Sequence, residues 1–267
     1  MRMRSAEKKT AKPAPPKQVN PFRYGWRDVE QIGPNGRIEW VQVPLTLKDV
    51  LHPQEGDVIP EIPRHQRERD YLARVLRCRP SPQRKVFVMS DCLINWGVKG
   101  MGNHSPDVSV FADLSREPNL DAGTFRVVEY GARCLLAIEL VSPDTRVNDV
   151  HHKFAHYHQV GVRLYVIADQ RREGGPRELL AYRWTRRQFV AVRPDAQGRI
   201  PVRALGITLG LVDNRVWAFD LETGARLPDA EEMTEELDRT RVEVEQLRRD
   251  NERLEAELRR ARGEAAE

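Results

Sequence analysis

Between residues 60 and 227 the apolar positions fall into short runs separated by turn signals. Residues 134–141, CLLAIELV, form a continuous apolar run with one acid inside it. That pattern predicts a central strand buried on both faces, stopped by Pro143. RLYVIAD (163–169) predicts a second buried strand. Residues 146–159 between them are polar and amphipathic, which predicts a helix, with Gly161 as its C-terminal cap. The strand–helix–strand order has the form of a right-handed crossover. Upstream, residues 64–78 place Tyr71, Leu72, Val75 and Leu76 on one helical face, and Pro80 and Pro82 end that helix. VFVMS (86–90) and DVSVF (107–111) read as strands, and 124–129 gives another. Residues 177–220 predict three or four short strands broken by Pro194, Gly198, Pro201 and Gly206. Residues 21–60 show few periodic runs and several turn signals, with a short helical turn starting near Thr46. The whole predicts an α/β fold, a mixed sheet with at least one helix on each side.

The last zone has a different period. Met233, Leu237, Thr240, Val244, Leu247, Asn251, Leu254, Leu258 and Ala261 follow in steps of four and three, which keeps one stripe on one face of a helix. With Leu237 at a, Val244, Asn251 and Leu258 are also a, and Leu247 and Leu254 are d. Asn at an interior a position fixes register and dimeric state. The g-to-e pairs Glu243/Arg248 and Glu257/Arg262 are complementary, whereas Asp250/Glu255 is not. A homodimer through this coiled coil is therefore expected. The competing expectation is a single amphipathic helix folding back on the globular part.

Composition changes the picture where charge is concerned. The 267 residues carry 44 Lys+Arg and 40 Asp+Glu, a net charge of +4, and 40% of them are hydrophobic, enough for a core. The charge is divided among three zones. Residues 1–20 hold six bases and one acid with a Pro-rich stretch, the composition of a disordered basic tail. Residues 229–267 hold 14 acids and 8 bases, and residues 21–228 are basic. The expected organisation is a tail over 1–20, one domain over 21–228 with its core from about 40, and a coiled-coil helix over 229–267. No apolar run approaches the ~20 residues of a membrane span, and the basic start lacks a signal peptide's apolar segment. Three widely spaced cysteines, Cys78, Cys92 and Cys134, indicate neither a disulfide framework nor a cysteine zinc site. The expected location is a reducing cytoplasm.

Three residues carry candidate chemistry. Asp107 follows Pro106 at the head of a strand, Glu139 lies within the apolar run, and Lys153 follows fourteen residues later in the crossover helix. A carboxylate among Ile138, Leu140 and Val141 is costly to bury without a partner, so it must meet a cleft or a cation. Two carboxylates at neighbouring strand ends suit a hard cation such as Mg²⁺, which polarises a phosphoryl oxygen and activates water. A nearby lysine can stabilise the developing charge. Singly, each residue also has a structural reading: a turn cap, a core ion pair, a solvated helix position.

Together these residues sit in a wider pattern: Pro106-Asp107, then Glu139, Ser142, Pro143 and Thr145, then Asp149, Lys153 and Tyr157, then Gly161-Val162 and Asp169. That pattern resembles the signature of the Uma family of endonucleases in the PD-(D/E)XK, restriction-endonuclease-like superfamily. The resemblance covers about residues 40–232, including PLTLKDVLHPQEGD (44–57) and GITLGLVDNRVWAFDLETGARLPDAEE (206–232). It implies a restriction-endonuclease-like core, Mg²⁺ or Mn²⁺ held by Asp107 and Glu139, Lys153 as catalytic lysine, and DNA as partner. His65, Asp149 and Tyr157 are implied in supporting roles, and Glu68, Glu55 and Asp57 rank behind them. One departure from the superfamily is evident. Its general motif places the lysine two residues after the acid, where this chain has Val141. The Uma pattern takes the lysine from the next helix.

Two further features compete for function. His152 and His156 stand at i and i+4, a spacing that can chelate one metal. With His151 and His158 they read instead as a solvent- or DNA-facing cluster, since Lys153 replaces the acid of a zinc-protease motif. Arg171, Arg172, Arg177, Arg183, Arg186, Arg187, Arg193, Arg199 and Arg203 are dense enough for a DNA-backbone surface, or are solvated strand residues. The leading expectation is a metal-dependent DNA endonuclease. The alternative is a catalytically inactive nuclease-fold protein acting as a DNA- or protein-binding module through its coiled coil.

Overall fold

The structure is a computed structural model that describes residues 20–78 and 85–263. The basic tail, apart from Asn20, and the stop at Pro80 and Pro82 lie outside the described residues. The chain divides into two compact units, one within residues 1–50 and 56–60, the other within 51–55 and 61–267.

In the first unit, β1 (Trp26–Ile32) and β2 (Ile38–Pro44) form an antiparallel hairpin in which Ile32 faces Ile38. Gly33-Pro34-Asn35-Gly36 makes its turn. α1 (Leu47–Leu51) follows, its start bonded reciprocally by Thr46 and Asp49. β3 (Asp57–Val58) pairs with β1, and Arg27 Nε and Nη2 donate to Asp57 at 2.5 and 2.8 Å. Gly25 is required where β3 passes: at φ +98° a Cβ would lie 1.9 Å from the Val58 carbonyl oxygen. The sequence pattern does not announce this hairpin. Burial enforces no residue of β2: all seven are exposed, the apolar Ile38, Trp40, Val41 and Val43 among them. Where neither face is buried, nothing imposes alternation. The single domain expected over 21–228 therefore spans both units.

The second unit is built on a six-stranded sheet. α2 (Pro63–Cys78) leads into β4 (Val86–Ser90), the short β5 (Leu93–Asn95), β6 (Val108–Ala112) and β7 (Thr124–Arg126). β8 (Arg133–Leu140) is the central strand. After a π-helical turn (Asn148–His152) and α3 (Lys153–Val160), the chain returns as β9 (Leu164–Gln170). β10 (Arg177–Trp184) and β11 (Phe189–Ala191) complete the sheet, in the order β11-β10-β9-β8-β6-β4. Only β8 and β9 are parallel in it, joined by the crossover the sequence predicts. β5 and β7 form a separate parallel pair. β12 (Ile200–Val202), β13 (Ile207–Val212) and β14 (Arg215–Asp220) form an antiparallel sheet, with Asp213 and Asn214 left-handed at the last turn. This is the mixed α/β architecture expected, with one more short strand after residue 177.

Each face of the six-stranded sheet has its own core. Leu136, Ile138 and Leu140 point to a core that contains Leu72 and Leu76 of α2 and Ile207 and Leu209 of β13. Ala137 and Val141 point to the other, with Tyr157 of α3, Tyr165, Phe111 and Trp96. Glu139 lies between Ala137 and Val141 in the two-residue alternation, so it faces α3. α4 (Ala230–Ala261) begins in a capping box between Asp229 and Glu232 and contains no buried residue. It does not fold back on the globular part.

One expected surface arginine is a core residue. The Arg177 guanidinium donates to Glu68 at 2.6 and 2.8 Å, and Glu68 also accepts the Val216 N–H at 2.5 Å. Glu68, ranked behind the other site candidates from the sequence, thus ties α2 to β10 and β14 through its carboxylate. Glu68→Ala strands the Arg177 charge, and we expect a loss of about 3–5 kcal/mol in urea unfolding. The double variant Glu68→Leu/Arg177→Leu recovers part of that loss.

Candidate active site

β8 delivers Glu139 to the α3 side of the sheet, and the first turn of α3 delivers Lys153 to meet it. Lys153 Nζ lies 2.9 Å from Glu139 Oε2 and 2.8 Å from Asp149 Oδ1, and all three side chains are buried. The π turn matters for this meeting. The Lys153 N–H bonds the Asn148 carbonyl, five residues back, so one extra residue is absorbed just before the lysine. Tyr165 of β9 holds the turn by donating to the Asp149 carbonyl at 2.9 Å. Tyr157, one turn beyond Lys153, donates its hydroxyl to Glu139 Oε1 at 2.8 Å.

Asp107, just before β6, approaches from the neighbouring strand. Its Oδ2 accepts the Leu140 N–H at 2.6 Å, next to Glu139. Its Oδ1 lies 2.7 Å from His65 Nε2, on the first turn of α2. The structure therefore brings together all six residues singled out in the sequence: Asp107, Glu139 and Lys153, with His65, Asp149 and Tyr157 around them. It adds one that the sequence reading missed. Glu61 lies just ahead of α2, and its carboxylate is 3.9 Å from His65 Nε2 and paired with Arg69. Its position i−4 to His65 was the available signal. Glu55 and Asp57 have partners of their own: Glu55 accepts from Thr124 at 2.6 Å, and Asp57 accepts from Arg27.

Burial and charge set the protonation of this cluster. Burial raises the Glu139 carboxyl to about 8, since Lys153 only partly offsets it and Asp149 and Asp107 add repulsion. Asp149 is raised for the same reason. Burial acts the same way on Asp107, but the His65 hydrogen bond and charge, Lys153 and the Leu140 N–H outweigh it, so Asp107 is lowered. Burial works against the charged form of Lys153, yet Asp149, Glu139 and Asp107 together raise it, so it remains an ammonium. His65 is likewise raised, the Asp107 and Glu61 carboxylates overcoming its burial. Buried carboxylates here are short of positive charge. Glu61, His65 and Asp107 each offer a donor atom within 4.8 Å of the others. This oxygen-rich set fits a hard divalent cation.

Comparison with known families bears on this arrangement. Residues 54–212 match the model of Uma2, "Putative restriction endonuclease". The chain belongs to the Uma2 family. That membership supports nuclease activity in general. No curated protein matches the chain. A solved structure of a "putative nuclease belonging to DUF820 from Anabaena variabilis ATCC 29413" is similar at 22% identity, covering 60% of this chain and 92% of that one, with a TM-score of 0.40. The other residues of the Uma pattern shape the loop between β8 and α3. Ser142 and Thr145 bond through their hydroxyls at 3.1 Å. Buried Asp169 grips Arg146 through two bonds of 2.7 and 2.8 Å. Gly161 closes α3 in the left-handed conformation, as expected.

The histidines do not group as the sequence spacing suggested. His151 and His152 are exposed, and His158 bonds the Thr185 carbonyl. His156 instead meets His52 and His104, a second set with donor atoms within 4.8 Å. Trp96 Nε1 donates to His104 Nδ1 at 3.0 Å, and His104 Nε2 lies 2.9 Å from His156 Nδ1. An indole N–H can only donate, so neutral His104 carries its proton on Nε2 and passes it toward His156. The nitrogen a cation would need is therefore protonated. Trp96, His104 and His156 form a hydrogen-bonded chain against the Tyr157 ring, with the His52 ring stacked on His156, and not a zinc site of the i, i+4 kind.

This chain makes folding sensitive to acid. Burial, then Lys153, His52 and His156, lowers His104 from 6.5 to about 2. The unfolded chain thus binds this proton first as pH falls through 6.5, and stability is lost from there toward about 2. By about pH 5 the loss from this group is about 2 kcal/mol. His104→Gln removes it, and urea unfolding near pH 7 and near pH 5 should show a shallower acid dependence than wild type. An unchanged dependence would assign the sensitivity to other groups.

Proposed function

We propose that the chain is a divalent-metal-dependent DNA endonuclease in which Asp107, Glu139 and Lys153 act on the phosphodiester. One observation carries this reading: a lysine ammonium, itself buried, set between buried carboxylates beside a strand-leading aspartate. Such a charge arrangement is costly as mere architecture, and costly buried charge collects at functional sites.

Asp107 and Glu139 would hold Mg²⁺ or Mn²⁺, with Glu61 as a further oxygen donor. A cation there supplies polarisation of a phosphoryl oxygen and lowers the pKa of a bound water. The chain's own residues have separable tasks. Lys153, kept protonated by three carboxylates, is an electrostatic stabiliser of developing phosphoryl charge and not a base. Asp149 fixes the ammonium's direction through its 2.8 Å contact. Tyr157 fixes the Glu139 carboxylate from the other oxygen. His65 does the same for Asp107.

Val141 supports the assignment of Lys153. Val141, just past β8, points to the same side as residue 139, so a lysine at 141 would reach into the space that α3 covers. With buried Val141 there, α3 supplies the ammonium from above.

The test is nicking of plasmid DNA with Mg²⁺ or Mn²⁺ and with EDTA. Glu139→Ala and Lys153→Ala should each lower the rate by about 10²–10³-fold. Asp149→Asn and Tyr157→Phe, which act through their neighbours, should cost about 10–100-fold. Undiminished cleavage by Lys153→Ala would remove the lysine's role. No cleavage by wild type on duplex or single-stranded DNA, with either metal, would favour the binding-module reading.

A further inference from the structure

α4 offers an apolar stripe that nothing in the described chain covers. Leu237, Val244, Leu247, Leu254 and Leu258 lie along one side of its 32 residues and are 44–61% exposed. An isolated helix with a sustained leucine stripe gains its stability by burying it against another helix. The structure leaves the kind of helix to be identified from the residues beside the stripe.

With Leu237 at a, the g positions are Glu236, Glu243, Asp250 and Glu257, all acidic. The e positions Arg241, Arg248 and Arg262 are basic, and Glu255 alone is acidic. In a parallel pair of identical helices g meets the partner's e, which joins Glu236 to Arg241, Glu243 to Arg248 and Glu257 to Arg262 across the interface. Only Asp250 meets a like charge. In an antiparallel pair g meets g and e meets e, so every acid row faces acids and the arginines face one another. Asn251 points the same way. At an a position it meets its own copy in a parallel, in-register dimer, where two side-chain amides satisfy each other; any shifted or reversed pairing leaves a polar group against leucine.

We infer that α4 is a parallel, in-register, two-stranded coiled coil between two copies of this chain. α4 starts directly after the globular part, so the parallel pairing gathers both globular parts at one end of the coil. An antiparallel pairing would place them at opposite ends of a rod about 48 Å long. Dimerisation is thus a device for holding two copies of the same surface side by side, and it stands independently of the nuclease reading.

Sedimentation equilibrium of the full chain should give twice the 30.8 kDa chain mass. Leu247→Glu/Leu254→Glu should halve that mass without changing the near-ultraviolet circular dichroism of the globular part. The orientation is read separately. Asn251→Cys, in a Cys78→Ser background, should form a cross-chain disulfide under mild oxidation, and Glu243→Cys at a g position should cross-link markedly less. A monomer at tens of micromolar, or a dimer that survives the double glutamate variant, would overturn the coiled coil. A dimer in which Asn251→Cys does not cross-link would overturn the parallel register.

Discussion

The Lys153 ammonium, buried against Glu139 and Asp149, constrains more of this structure than any other contact. Removing an ammonium from water costs several kcal/mol even after relaxation, and the two carboxylates carry a similar cost. The arrangement persists only if each charge finds its partners at hydrogen-bond distance. Each neighbouring element can be read as meeting that condition. β8 must alternate so that residue 139 faces α3, the π turn must bring 149 and 153 to the same side, and Tyr157 and Tyr165 must finish the hydrogen bonding from within a tyrosine pair 5.0 Å apart. The aromatic core around α3 is therefore part of the charge site, since it excludes the water that would otherwise screen the pair.

Most of this was legible in the sequence because burial writes strong patterns. Residues 134–141 and 163–169 are apolar on both faces, and a lone acid in such a run stands out. The charged helix between them, ended by Gly161, could only be a crossover. The hairpin over 26–44 was illegible for the opposite reason: its residues face solvent on both sides, so no periodicity records it. Long-range pairing was the other blind spot. Arg177 sits in a stretch of arginines and reads as surface, but Glu68, 109 residues away, draws it into the core. Glu61 was missed because a single acid before a helix looks like any N-terminal acid until Arg69 and His65 are seen around it. His156 was matched by spacing with His152, whereas its real neighbours, His52 and His104, come from distant loops.

The general superfamily pattern and this chain solve the same geometric problem differently. A lysine two residues after the acid shares its strand face and needs no other element. Moving the lysine to the following helix makes its position depend on the loop over 141–147 and on helix packing. The loop is correspondingly pinned: Ser142 to Thr145, Arg146 to Asp169, and the Val141 N–H to the Ala168 carbonyl. Asp169 belongs to the recognisable pattern although it lies at the far end of β9, and its place there follows from this anchoring. It is buried, accepts from Arg146 through both oxygens and also pairs with Arg171.

The same dependence explains why the spacing between Glu139 and Lys153 has little freedom. One residue is 100° of helical rotation, so deleting one between Arg146 and Lys153 would swing the ammonium out of the space beside Glu139. The π turn shows how the chain accommodates its actual length: the additional residue is taken up at Asn148–His152, where the hydrogen bond runs five residues back, and helical phase resumes with Lys153 facing the sheet. Asn148 and Asp149 are buried in that turn. A π turn is weaker than an α turn and survives where packing rewards it. Here the reward is the placement of two charged side chains, four residues apart, on the same carboxylate-lined wall.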